Sequence, residues 1–257
     1  MRVAVLYDIH SNLPALDTVL EKIDKASVEM IMVGGDVFPG PMPRETIKRL
    51  LALEIPVQFI HGNGDREVLA RMQGIETGTV PEQFRGAIRW VANQLHPEYD
   101  SLLAGWSLTR TLNVHGLGKV LFCHATPRSD TQIFSRLTNE ELLLPIFDRL
   151  DVSVVVCGHT HMQFDRMVGK TRVVNAGSVG APYGKTGADW LLLGSGVQHQ
   201  HTPYDLERAA KQVIATEYPL AEDFAQRILQ PLSETEVLTA LSKVELGEAT
   251  ALKTSTN

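Results

Sequence analysis

The sequence predicts an α/β protein, and three observations carry that prediction. Within the first 65 residues one order recurs three times: a short apolar run of strand type, a polar loop, and in two of the three cases a clear amphipathic segment at helical spacing. Such strand-loop-helix units imply parallel strands joined by right-handed crossovers. Later, Arg172-Val173-Val174, Trp190 to Leu193 and Val197 to Tyr204 form short strands with Gly-rich turns and no helical pattern between them. That grammar implies antiparallel pairing and a second sheet. Finally, chemically useful residues stand at the ends of five strand-like runs, where open α/β sheets place their ligands.

Each element follows from local sequence. Arg2 to Tyr7 is an apolar run that enters Asp8-Ile9-His10-Ser11-Asn12, and Leu16, Val19, Leu20 and Ile23 then recur at helical spacing. Asn12 suits the cap of that helix and Pro14 its first turn. Met30 to Val33 ends in Gly34-Gly35-Asp36 and leads to a helical pattern with Ile47, Leu50 and Leu51. Pro56 to Ile60 ends in His61-Gly62-Asn63-Gly64-Asp65. From 66 to about 112 the strand rhythm stops, and Phe84, Ile88, Val91 and Leu95 mark an amphipathic helix. This helical insertion either roofs a site or forms a helical layer. Lys119 to Cys123 runs into His124, Glu140 to Leu150 is helical, and Val152 to Val156 is a buried strand leading to Cys157-Gly158-His159-Thr160-His161. A helical C-terminal segment covers about 205–245, and the polar tail from Gly247 to Asn257 is assigned no structure. The whole chain, 1–257, reads as a single domain.

Composition bounds the function. With 44% hydrophobic and 21% charged residues the chain is ordinary for a globular protein. A formal charge of −6 argues against a broad grip on a nucleic-acid polymer or an anionic membrane. No apolar run approaches the ~18 residues a spanning helix needs, and the N-terminal apolar stretch is too short for a signal peptide. Cys123 and Cys157 form no C-x-x-C pair and read as reduced, buried thiols, so a cytoplasmic location is expected. The oligomeric state is left open.

The five strand-end clusters are Asp8 with His10, Asp36, Asn63 with Asp65, His124, and His159 with His161. Convergence at one sheet edge would gather carboxylates, an amide and four imidazoles. Carboxylates crowded without cations repel one another, so divalent metal is the natural neutraliser.

In this order, D-x-H, G-D, G-N-x-x, an isolated His and G-H-x-H resemble the calcineurin-like metallophosphoesterases, from Asp8 to about Ser178. The Asn175 to Gly180 stretch and the small size resemble the compact bacterial and archaeal phosphodiesterase branch, which includes diadenosine-tetraphosphate hydrolases. The resemblance implies a four-layer α-β-β-α sandwich of two mixed sheets with a dinuclear metal site at the strand C-terminal ends. It implies that Asp8, His10 and His161 hold one ion, that Asn63, His124 and His159 hold a second, and that Asp36 bridges them. The cofactor is then two divalent transition-metal ions (Mn, Fe, Zn, Ni or Co), with Mn favoured for assay. A hydroxide between the ions would attack phosphorus, with Asp36, Asn63, Asp65 and His124 as the catalytic set. The expected substrate is a phosphoester or nucleotide small molecule, bound with help from Asn12, Arg66 and Arg128. The more conventional accounts are a helix cap for Asn12 and surface positions for both arginines.

The sequence departs from the family at Gly64, where many members carry the His thought to protonate the leaving alcohol. Without that acid, good leaving groups are favoured, as in aryl phosphodiesters or nucleoside and dinucleoside polyphosphates. Restoring a histidine at Gly64 is expected to raise phosphomonoesterase activity. His61 either replaces the acid or faces away. The alternative readings are a non-catalytic metal-binding scaffold and a phosphomonoesterase or phosphoprotein phosphatase. Gly180 to Thr186 falls one residue short of a P-loop and reads as a turn.

Overall fold

The structure, a computed structural model, describes residues 1–246; the tail from Gly247 to Asn257 lies outside the described residues. Strands β1 (Val3–Leu6), β2 (Met30–Val33) and β3 (Val57–Phe59) run parallel in a first sheet. A second sheet contains β4 (Thr109–Val114), β5 (Gly118–Cys123), β6 (Val154–Cys157), β7 (Phe164–Val168) and β8 (Thr171–Asn175), in the order β4-β5-β6-β8-β7. Its three central strands are parallel, and the edge strands β4 and β7 are antiparallel to their neighbours.

The final strands, β9 (Ala188–Leu193) and β10 (Val197–Thr202), correct the expectation from sequence. They return to the first sheet, antiparallel beside β1, and complete the order β10-β9-β1-β2-β3. Their short hairpin was legible; the sheet they join was not, because periodicity does not encode the partner. β4 also begins inside the stretch expected to be helical to about 112, and β7 was not anticipated. Both are edge strands with several exposed residues, which weakens the apolar signal of a strand.

Alternation within the strands builds the layers. Val3 and Val5 of β1 meet Val120, Phe122, Val154 and Val156 in the core between the sheets. Ala4 and Leu6 point the other way, into a core closed by α1 (Leu13–Lys25), α2 (Pro43–Leu51) and helices that follow. On the far side, Val155 and Cys157 of β6 pack on Leu143, Ile146 and Phe147 of α6 (Glu140–Phe147). The result is a sandwich of two mixed sheets with helices on both outer faces. Tyr7 ties the sheets together: its hydroxyl donates to the carbonyls of Cys123 at 3.1 Å and Val156 at 2.9 Å.

Asn12 caps α1, its side chain accepting from Ala15 N, as its position suggested. In α2, Ile47 and Leu50 are buried but Leu51 is 46% exposed, so the apolar stripe is narrower than the sequence suggested. The region 66–112 holds α3 (Asn63–Met72), α4 (Glu82–Gln94) and α5 (Tyr99–Ala104) before β4. Ile88 and Val91 of α4 and Leu103 of α5 join the core outside the first sheet. The same core receives Val213 of α7 (Leu206–Ile214) and Phe224 and Ile228 of α8 (Ala221–Leu229). Helix α9 (Glu234–Leu241) packs separately, with Val237, Leu238 and Leu241 on Ile133 and Met162.

Candidate metal centre

The five loops converge, though they leave two sheets and not one. Asp8 and His10 follow β1, Asp36 follows β2, Asn63 opens α3 just beyond β3, His124 follows β5, and His159 with His161 follow β6. Backbone conformation at this junction is unusual. Asp8, His10, Ser11, Asp36, His159 and His161 all have φ between 46° and 68°, in the left-handed region. Such conformations cost of order 1–3 kcal/mol each and persist where surroundings over-determine them. They aim side chains from several turns at one point.

One group of donors comprises Asp8, His10 and His161. Asp8 Oδ1 lies 3.4 Å from His161 Nε2, and His10 Nε2 lies 3.1 Å from His161 Nε2. Ring orientation is fixed from behind: His10 Nδ1 faces Pro39 O at 3.1 Å and His161 Nδ1 faces Ala181 O at 2.8 Å. If each Nδ1 carries the proton and donates to its carbonyl, both Nε2 lone pairs face the same space. The second group comprises Asn63, His124 and His159. One end of the Asn63 amide lies 3.1 Å from His159 Nδ1 and 3.2 Å from His124 Nε2. His124 Nδ1 faces Gly34 O at 3.0 Å, which leaves Nε2 free.

Asp36 stands between the groups, with Oδ2 3.8 Å from His10 Nε2 and Oδ1 3.6 Å from His124 Nε2. Asp8 also reaches toward both, its Oδ1 lying 3.8 Å from His124 Nε2. Asp8 Oδ1 is buried without a hydrogen bond. An orphaned buried carboxylate oxygen, surrounded by imidazole nitrogens and a side-chain amide, fits a site for cations. Among the described residues, Asp8–His10–His161 and Asp8–Asp36–His124 are the sets whose donor atoms all lie within 4.8 Å of one another. The chemistry of the donors, oxygen and imidazole nitrogen, suits divalent transition metals.

Burial governs the proton equilibria. His10 is pushed down to about 3 by burial and by His161, and His159 to about 3 by burial and by His124. Both imidazoles are therefore neutral at pH 7, the form a metal requires. Burial would raise Asp8, but His161 and the other imidazoles outweigh it and hold its carboxyl below the usual carboxylate range. Burial and the neighbouring Asp8 push Asp36 well above that range.

The remaining expectations fare differently. Asp65 is wholly buried, and its carboxylate accepts from the amides of Asp36 at 2.8 Å, Gly62 at 2.9 Å and Phe38 at 3.0 Å. It fastens the Asp36 loop to the start of α3, and with no histidine at position 64 it has no acid to orient. Asn12 is also wholly buried, and its amide donates to Gly180 O at 2.7 Å and Tyr204 Oη at 3.1 Å. The cap and this strap leave it no donor for phosphate. Arg66 is held bidentately by Asp130, at 2.8 Å and 3.2 Å, and also by Glu67. Arg128 is exposed and donates to Pro145 O, toward α6. His61 packs on Trp106 at 5.9 Å and makes no hydrogen bond through Nδ1.

Sequence reasoning missed Tyr7, Asp130 and Ser178. Ser178 Oγ donates to Asp8 O at 2.8 Å and accepts from Ala181 N at 2.9 Å, which shapes the first donor loop. The stretch Asn175 to Gly180 was noticed as a motif, and its bonds to the Asp8 loop are the physical reason for it.

Fold and site together define a metal-dependent phosphoesterase architecture. The chain belongs to the calcineurin-like phosphoesterase superfamily: residues 1–194 match its calcineurin-like phosphoesterase superfamily domain. It is 26% identical over 238 residues to an uncharacterized protein of Methanocaldococcus jannaschii, covering 84% of this chain and 93% of that one. Its fold is similar to that of a metallophosphoesterase from Sphaerobacter thermophilus, with a TM-score of 0.70, 22% identity, and coverage of 89% and 98% of the two chains. It is likewise similar to a hypothetical protein from Pyrococcus horikoshii, with a TM-score of 0.75, 20% identity, and coverage of 88% and 97%.

Proposed function

We propose that the protein hydrolyses phosphoesters with two divalent ions, one held by Asp8, His10 and His161 and the other by Asn63, His124 and His159, with Asp36 shared. The observation that carries this reading is the convergence of an orphaned Asp8 oxygen, the Asn63 amide and four imidazoles. Without a cation these lone pairs repel; with cations they are a complete ligand set. When bound, such a pair supplies hydroxide at neutral pH and neutralises phosphoryl charge.

The chain's own residues prepare that chemistry. Pro39, Ala181 and Gly34 carbonyls orient three imidazoles, Asp65 anchors the Asp36 loop, and Ser178 braces the Asp8 loop. Gly64 offers no proton to a leaving group. The preferred substrates are therefore phosphodiesters with acidic leaving groups, or nucleoside and dinucleoside polyphosphates. Hydrolysis of an aryl phosphodiester with added Mn tests the proposal in the wild type and in His124→Ala. Activity is expected in the wild type and a fall of at least about 10²-fold in the variant. No activity in either, with no bound metal, would overturn the reading.

A further inference from the structure

Arg66, expected from sequence to bind phosphate, spends every nitrogen of its guanidinium inside the protein. Nε and Nη2 donate to the two carboxylate oxygens of Asp130 at 2.8 Å and 3.2 Å, and Nη1 donates to Glu67 Oε1 at 3.0 Å. Asp130 and Glu67 are both more than nine-tenths buried. Glu67 is completed by the hydroxyls of Thr79, at 2.7 Å, and Thr77, which come from the loop after α3. Burying two carboxylates around one cation costs desolvation, so such a cluster is a weak device for stability. Its bidentate fork is a strong device for geometry.

What the fork holds together is the second donor group. Arg66 stands three residues after Asn63 on α3, and its own N donates to Gly62 O at 3.1 Å, so the two residues share the first turn of that helix. Asp130 stands six residues after His124, in the loop that leaves β5. That loop is closed on itself: Thr126 N donates to Ser129 O at 2.9 Å, and Thr126 Oγ1 donates to Gln132 Oε1 at 2.8 Å. Because α3 follows the first sheet and this loop the second, the ion pair spans the two sheets beside the centre. The same end of the Asn63 amide lies 3.2 Å from Asp130 O and 3.2 Å from His124 Nε2. Asp65 fastens this turn of α3 to the Asp36 loop, and Arg66 fastens it to the His124 loop. Metal ligands must sit within about 0.2 Å of their ideal distances, so a link that fixes the spacing of two ligands acts on affinity.

We propose that Arg66 is a positioning residue for the second ion: by clamping Asp130 it sets α3, and with it Asn63, against the loop that carries His124. It acts on the ligands and not on the substrate. This rests on the two-ion part of the phosphoester-hydrolase reading above, and not on the reaction.

The test titrates metal-free protein with Mn(II) by calorimetry. Arg66→Gln, Arg66→Lys and Asp130→Asn are each placed in His161→Ala, which keeps the second ion's ligands, and in His159→Ala, which keeps the first ion's. In His161→Ala, Arg66→Gln is expected to weaken the remaining ion about 10–100-fold, whereas in His159→Ala the remaining ion should bind as before. Removal of a positive charge alone would tighten cation binding, so the expected loss has the sign opposite to a purely electrostatic role. Arg66→Lys, which keeps the charge and loses the fork, should fall between, and Arg66→Gln with Asp130→Asn should be no weaker than the weaker single variant. Arg172→Gln breaks a similar bidentate pair, with Asp165, and should leave both ions unchanged. Where Arg66→Gln does not fold, Asp130→Asn, which leaves Arg66 paired with Glu67, gives the decisive comparison. Equal or tighter binding of the second ion, equal weakening of both ions, or the same loss in Arg172→Gln would overturn the proposal. A wild type that binds two ions and hydrolyses no phosphoester defeats the enzymatic reading alone, and the titration still decides the role of Arg66. A wild type that binds no ion overturns both.

Discussion

A side chain at position 64 would collide with the Phe38 carbonyl oxygen and stand 2.8 Å from Pro39 Cδ. Gly64 N also donates to Asp36 Oδ1 at 2.8 Å, so the backbone there is both confined and employed. The missing acid is thus more than a vacant position into which histidine could be returned, and the expectation that Gly64→His raises phosphomonoesterase activity is withdrawn on steric grounds. Overpacking of this kind costs about 1–3 kcal/mol. Gly64→Ala and Gly64→His are both expected to lower Tm, by roughly 2–4 °C per kcal/mol, and to gain no activity on monoesters. A stable Gly64→His protein with a raised monoesterase-to-diesterase ratio would show that the Phe38–Pro39 loop yields. Sequence alone could register the absence of histidine here; the approach of the loop that requires glycine is a tertiary fact.

Among elements, the two sheets meet at the centre through Tyr7. Its hydroxyl serves two carbonyls of the second sheet, and a Cβ at Gly34 or Gly158 would collide with its ring. Those glycines, which read from sequence as loop punctuation, are where backbone must pass close to an aromatic ring. Tyr7→Phe would remove two buried hydrogen bonds that cross to the second sheet, at about 0.5–1.5 kcal/mol each. A lower Tm with unchanged metal content is the expected result, measured by thermal unfolding; an unchanged Tm would mean that the inter-sheet core holds the register without it. The parallel strands and their polar ends were legible because β-branched runs and the loops after them are local signals. The sheet joined by β9 and β10 was not, and neither were the uses of Arg66 and Asn12. Asp130 and Gly180, which engage those two side chains, lie 64 and 168 residues away in sequence.

For the whole molecule, the centre makes opposing demands on protons. His10 and His159, at about 3 in the folded chain against the ordinary 6.5, favour unfolding as pH falls through that window, because the unfolded chain binds the protons. Asp65 acts in the other direction. Burial and Asp36 push it up to about 8 from 3.8, against its amide donors, so it favours unfolding of the metal-free protein as pH rises between those values. Bound cations relieve the crowding of Asp8, Asp36 and Asp65 by favouring their ionised forms. Because Asp36 is raised, metal binding displaces a proton, and affinity should increase with pH. Ligand linkage then adds about 2.7 kcal/mol to stability at a hundredfold excess over Kd.

A calorimetric titration of the metal-free protein with Mn(II) tests the two-ion centre most directly. The expected result is two ions bound per chain in the wild type, one in His161→Ala and one in His159→Ala, with tighter binding at pH 8 than at pH 5.5. No bound ion in the wild type, or two ions retained in both variants, would contradict the account.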